Sequence, residues 1–178
     1  MTRIGEKTYS KAEIEALLQA MDRQTKRAAK KAEGAIERIT KSSFEPYYEY
    51  RESLTEIEGV LVLIENRMAH ADPKAHAQLA EYHTNLVAGL LKMKIDVILR
   101  VFPALEIAAT LPMGAQRVFL ATLWELKETV ARIDRLDMSH LLDEEARKRL
   151  LVAETIIGDV AQRAPALLEL AEQHAKQI

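Results

Sequence analysis

Residues 47–68 read YYEYRESLTEIEGVLVLIENRM. Tyr47, Tyr50, Leu54, Ile57, Leu61, Ile64 and Met68 recur in steps of three and four. A helix turns 100° per residue, so this spacing lays the seven side chains along one stripe. It is the seam of a coiled-coil-like bundle helix. Pro46, just ahead, fits a first helical turn, where its missing N–H leaves no bond unmade.

Upstream, YSKAEIEALL opens another helix at residues 9–18. Ser10 is its expected N-cap, and Glu13 completes a capping box. The inward stripe is Ile14, Leu18, Met21, Ala28, Ala32, Ala35 and Ile39, running to about Ser42. Its second half is alanine, which buries little area and suits close helix contact.

Downstream, Asp72 and Pro73 start a third helix as N-cap and first helical residue. It is expected to end or kink at Phe102–Pro103. Residues 102–114, FPALEIAATLPMG, read as a short helical connector. A fourth helix carries Phe119, Leu123, Leu126, Val130 and Ile133, and Ser139 or Asp143 then caps a fifth. The fifth seam is Ala146, Leu150, Ala153, Ile157, Val160, Ala164, Leu167 and Ala171, with Pro165 expected to kink or split it.

No period-two alternation competes with these stripes. The fold expected is an all-α antiparallel bundle of about five helices, one domain over residues 1–178. The long basic helix at 10–42 either joins the bundle or projects as an interaction arm.

Composition narrows the function. The chain has 178 residues, 48% hydrophobic and 29% charged, a soluble globular balance. There is no cysteine, which excludes disulfides, thiolate metal sites and cysteine nucleophiles, and fits a cytoplasmic protein. The first residues, MTRIGEKTYSKAE, have no apolar core and read as no signal peptide. The longest stretches without Lys, Arg, Asp or Glu are of about ten residues, against roughly 20 for a membrane span.

No phosphate-binding glycine loop, GxSxG elbow or HExxH motif occurs. Only Asp137…His140 approaches the acid-x-x-His spacing of di-iron bundles, and it lies at a helix junction. No cofactor, metal or catalytic constellation is expected. The Ala- and Leu-rich, cysteine-free composition is similar to that of phasin-type granule-coating proteins, with no motif that carries residues across.

Three of five histidines fall in RMAHADPKAHAQLAEYH, residues 67–83. His70 reads as a carbonyl-capping donor closing the second helix. On the third helix, His76, His83 and Lys94 fall within about 40° of the apolar stripe Leu79, Leu86, Leu90, Met93, Val97 and Val101. Buried polar groups need partners. His76 and His83 lie roughly 10 Å apart along the axis, too far to chelate one ion by themselves. Glu65, on the antiparallel second helix, is the natural partner for His83, and Glu58 the next. These residues form a candidate ligand-binding set; the plain alternative is satisfied structural histidines and a paired lysine.

Charge is uneven. Residues 1–45 hold ten Lys/Arg against seven Asp/Glu, while residues 46–178 hold fifteen against twenty. Arg23, Lys26, Arg27, Lys30, Lys31 and Arg38 form the basic part of the first helix. Residues 22–41 lack aromatics for base stacking, Asn for base edges, and Trp, Phe or Leu for a membrane surface, so a protein partner fits better than nucleic acid or lipid. The plain alternative is a solvated helix with internal ion pairs. Apolar residues on nearly every face of 60–64 and 86–102 suit a partner-covered surface. The expected function is therefore non-enzymatic association, with homo-oligomerisation; a ligand-binding bundle stands second and nucleic-acid binding through residues 22–41 third.

Overall fold

The structure is a computed structural model that describes residues 9–107 and 113–177. Among these residues the chain is all-α. The helices are α1 (Lys11–Ile39), α2 (Glu45–Ala69), α3 (Pro73–Ile107), α4 (Met113–Arg135), α5 (Glu144–Arg163) and α6 (Pro165–Ala175). A 3-10 turn, Ser139–Leu141, links α4 to α5.

The caps follow the local chemistry. Ser10 accepts from the Glu13 N–H at 3.3 Å, and the Glu13 carboxylate accepts from the Ser10 N–H at 2.9 Å. One carboxylate oxygen of Asp72 accepts the Lys74 N–H at 2.9 Å and the Ala75 N–H at 3.4 Å. Asp143, rather than Ser139, caps α5 by accepting from Ala146 N–H at 2.8 Å. Each supplies a partner to amides that the first helical turn leaves open. Ser42, after α1, takes a left-handed backbone with φ 58° and turns the chain into α2.

The buried residues of α1 are Ile14, Leu18, Met21, Ala28, Ala32, Ala35 and Ile39. Those of α2 are Tyr47, Tyr50, Leu54, Ile57, Leu61, Ile64 and Met68. Both stripes match the apolar periodicity residue for residue. The sixth helix arises because the chain splits at Ala164 and Pro165. Proline has no N–H to donate and crowds the preceding turn.

One boundary differs. Pro103 does not end α3, which continues to Ile107. Pro103 is exposed while Val101, Ala104 and Leu105 are buried, so packing on both sides of the proline holds the helix through the lost bond. Residues 108–112 of the expected connector lie outside the described residues.

The helix α1 packs along both α2 and α3, and α3 packs on α4. The broken pair α5 and α6 lies on the other side of α4, with α5 also against α3. Alanines on the inner face of α1 let it sit closely against two neighbours at once. In contrast, α2 makes little close backbone approach to α3 or α4. It meets them through long polar side chains, which leaves a cleft.

Candidate functional site

Two polar stripes build the cleft. On α2, Arg51, Glu58 and Glu65 recur every seven residues, beside the apolar seam. On α4, Thr122, Glu125, Thr129 and Arg132 recur in steps of three, four and three. Residue numbers rise together across the gap, so α2 and α4 run parallel. Tyr47 meets Thr122 at 2.6 Å, Arg51 meets Glu125 at 3.6 Å, and Arg132 meets Glu65 at 3.7 Å.

Lys94 of α3 rises between the two walls. Its ammonium contacts Glu58 at 2.6 Å and also pairs with Glu125. Its side chain is only 6% exposed, against 16% for Glu125 and 42% for Glu58. Burial alone pushes the Lys94 pKa down, but the carboxylates of Glu125 and Glu58 outweigh it, and the net shift is upward. The lysine is therefore charged and held, not poised as a base or nucleophile.

Above Lys94 the cleft has a volume of about 380 Å³. Val62 and Trp124 supply apolar surface, and Glu128, Arg132 and Arg135 line the mouth. Lys127 sits 4.8 Å from the Trp124 ring centroid, a cation–π contact.

Below the cleft the polar network enters the core. Thr122 donates its hydroxyl hydrogen to the Val118 carbonyl at 2.7 Å. A hydroxyl has one hydrogen, so Tyr47 must be the donor to Thr122. Burial pushes the Tyr47 phenol up to about 12. Burial also raises Tyr50 well above its ordinary value, and its hydroxyl has no hydrogen-bond partner.

The four residues of the candidate ligand set separate. His76 is exposed in the first turn of α3 and stands apart from the cleft. The apolar stripe does not reach that turn, where Leu79 is the first buried residue of the helix. His83 is half-buried, with its Nε2 4.0 Å from Glu65 and no hydrogen-bond partner. Its pKa is lowered, first by burial, against an upward pull from Glu65. Lys94 lies eleven residues further along α3, roughly 16 Å away. So Glu65 does face His83, as the antiparallel register implies, while Glu58 serves Lys94 instead. His70 donates its Nδ1–H to the Asn66 carbonyl, 2.9 Å away, in the last turn of α2.

Glu125, Arg132 and Trp124 were not singled out from the sequence. The signal was the 3-4-3 polar stripe on α4, adjacent to its apolar seam. Among the described residues, no group of three or more His, Asp or Glu is disposed to hold a metal ion.

Of the candidate partner-binding residues, all six are exposed on α1. Lys26 pairs with Asp22 at 2.7 Å, and Lys31 donates to Ser53 at 2.8 Å. Arg23, Arg27, Lys30 and Arg38 form no ion pair among the described residues. No described helix is long and apolar enough to cross a membrane. Comparison with protein-family models, curated proteins and solved structures returns no match to this chain.

Proposed function

We propose that this chain is a non-enzymatic interaction protein of the cytoplasm that works by association with protein surfaces, copies of itself included. The observation that carries the reading is the outer face of α1. Its inner face is taken up by α2 and α3, which supports reading the helix as one wall of the bundle. Its outer face keeps Arg23, Arg27, Lys30 and Arg38 out of any ion pair among the described residues, on a molecule that is otherwise acidic. Charge of that kind steers and orients partners. Exposed apolar side chains add contact surface, among them Val62 and Leu151, each 64% exposed. The lack of cysteine fits a reducing compartment. Size-exclusion chromatography with light scattering over micromolar concentrations tests self-association. A clean monomer at every concentration and at low salt removes it. Binding to mixed DNA and RNA at low salt, falling steeply as salt rises, would favour the nucleic-acid reading instead.

A second reading rests on the cleft. Its 380 Å³ suits a small polar ligand stacked on Trp124. Lys94 already holds two carboxylates and Arg132 pairs with Glu65, so Arg135 is the lining cation left for an anionic group. A thermal-shift screen of small carboxylates and amines tests it; no stabilisation by any compound removes it.

A further inference from the structure

The exposed faces of α1 and α2 carry matching charge patterns. Taking Arg23 as zero at 100° per residue, Arg23, Arg27, Lys30 and Arg38 fall within an arc of about 80°. That arc lies opposite the buried stripe of α1. On α2, Glu45, Glu49, Glu52 and Glu56 recur in steps of four, three and four, within about 60°. They lie opposite the buried stripe of that helix, and all four are exposed. None of the eight forms an ion pair among the described residues. By contrast, the neighbouring Lys26 and Lys41 are satisfied within their own helix or its end, by Asp22 and Glu37. The two ridges are thus long, of opposite sign and without ion pairs among the described residues.

Register makes them complementary. The Lys31–Ser53 hydrogen bond sets the level of antiparallel α1 against α2. Counting outward from it, Arg38 lies level with Pro46, between Glu45 and Glu49. Lys30 lies level with Leu54, between Glu52 and Glu56. Arg27 lies level with Ile57, beside Glu56. Within one chain each ridge points away from its own helix core, so the charges do not close on each other. A two-fold axis parallel to the helices, running between α1 and α2, brings each basic ridge onto the acidic ridge of a second copy at the same level. A two-fold axis across the helices would set α1 against α1, basic on basic. The charge pattern therefore selects one closed, isologous arrangement.

We propose that two copies of this chain associate through the α1–α2 face, with the α1 basic ridge of each against the α2 acidic ridge of the other. This rests on the reading of the chain as a self-associating protein and names the surface that does it. The test is sedimentation velocity of the full chain at about 50 and 500 mM salt, with circular dichroism as a check on folding. The variants are R27E/K30E, E52K/E56K and the four changes combined, which keep the net charge of the natural chain. The expected result is a dimer weakened tenfold or more by either double reversal and by high salt, and restored by the combined variant. A dimer unchanged by either double reversal overturns this interface and leaves self-association standing on another face. Failure of the combined variant to restore a dimer that both reversals break overturns the ridge-on-ridge pairing. A natural chain that stays monomeric overturns both readings.

Discussion

Replacing Lys94 by Met tests whether the charges beneath the cleft are a compensated interior network. Methionine keeps the apolar stem and removes only the ammonium. The loss can be worked from the exposures. Glu58 is 42% exposed and can turn to water, so it is not stranded. Glu125 is 16% exposed and loses its closest cation, retaining Arg51 at 3.6 Å. Breaking a buried pair costs about 3–5 kcal/mol, and the remaining arginine and the exposure of Glu58 place this case at about 3 kcal/mol. For a chain of this length that is a Tm lower by roughly 6–12 °C. Urea titration followed at 222 nm would measure it. Adding Glu125→Gln should recover about 1–2 kcal/mol, because no buried charge is then left alone. Alkaline pH gives a second signature. In the natural chain the raised Lys94 pKa means its contribution is present below pH 10.5 and is lost as pH rises through the folded value. A loss below about 1 kcal/mol in Lys94→Met, or no recovery with Glu125→Gln, would show that solvent already screens the network and the reasoning is wrong.

Tyr47→Phe should flatten the alkaline limb. The unfolded phenol ionises near pH 10 and the folded one at about 12, so stability falls across that window by about 3 kcal/mol in the natural chain. Denaturation midpoints at pH 9 and 11 would check it, and an unchanged pH slope in the variant would refute it. His83 is held below its ordinary value by burial. The unfolded chain therefore takes up the proton first, and stability falls as pH drops below 6.5 toward the folded value. His83→Gln should reduce that slope between pH 7.5 and 5, read by urea midpoints, with the lowered His174 leaving a residue of it. Gly89 and Gly158 sit inside helices where an added Cβ meets nothing within 4 Å. Alanine at each should stabilise by about 0.5–1 kcal/mol in thermal unfolding. Gly114→Ala should destabilise instead, since its Cβ would come 2.9 Å from Phe44 Cδ2.

The buried faces of α1 and α2 were legible because apolar spacing alone sets which side of a helix leaves water. The ends at Ser10, Asp72 and Asp143 were legible because each places an acceptor where amides are open. What spacing does not encode is which helices become neighbours. Glu125 is an unremarkable glutamate until α2 and α4 face each other over Lys94. The same limit separated His76 from His83. Both lie on one angular stripe, but burial also depends on what covers that level of the helix, and among the described residues His76 in the first turn of α3 stays exposed. Pro103 shows a local preference overridden by packing: Val101, Ala104 and Leu105 hold the helix past it.

The place of α1 between α2 and α3 also bears on how the chain reaches its native state. Helices joined by a short turn ordinarily dock as they form, giving fast, local folding. Here α2 and α3 share such a turn at residues 70–72 yet their backbones approach closely at few points. Their apolar faces are joined through α1, by contacts as distant in sequence as Glu33 and Arg100, 67 residues apart. Closing a loop of that length delays nucleation, and a chain emerging from its N-terminus must keep the α1–α2 hairpin half-covered until α3 arrives. The hairpin's apolar stripe would then be the stretch most exposed to capture by a chaperone or by another nascent chain.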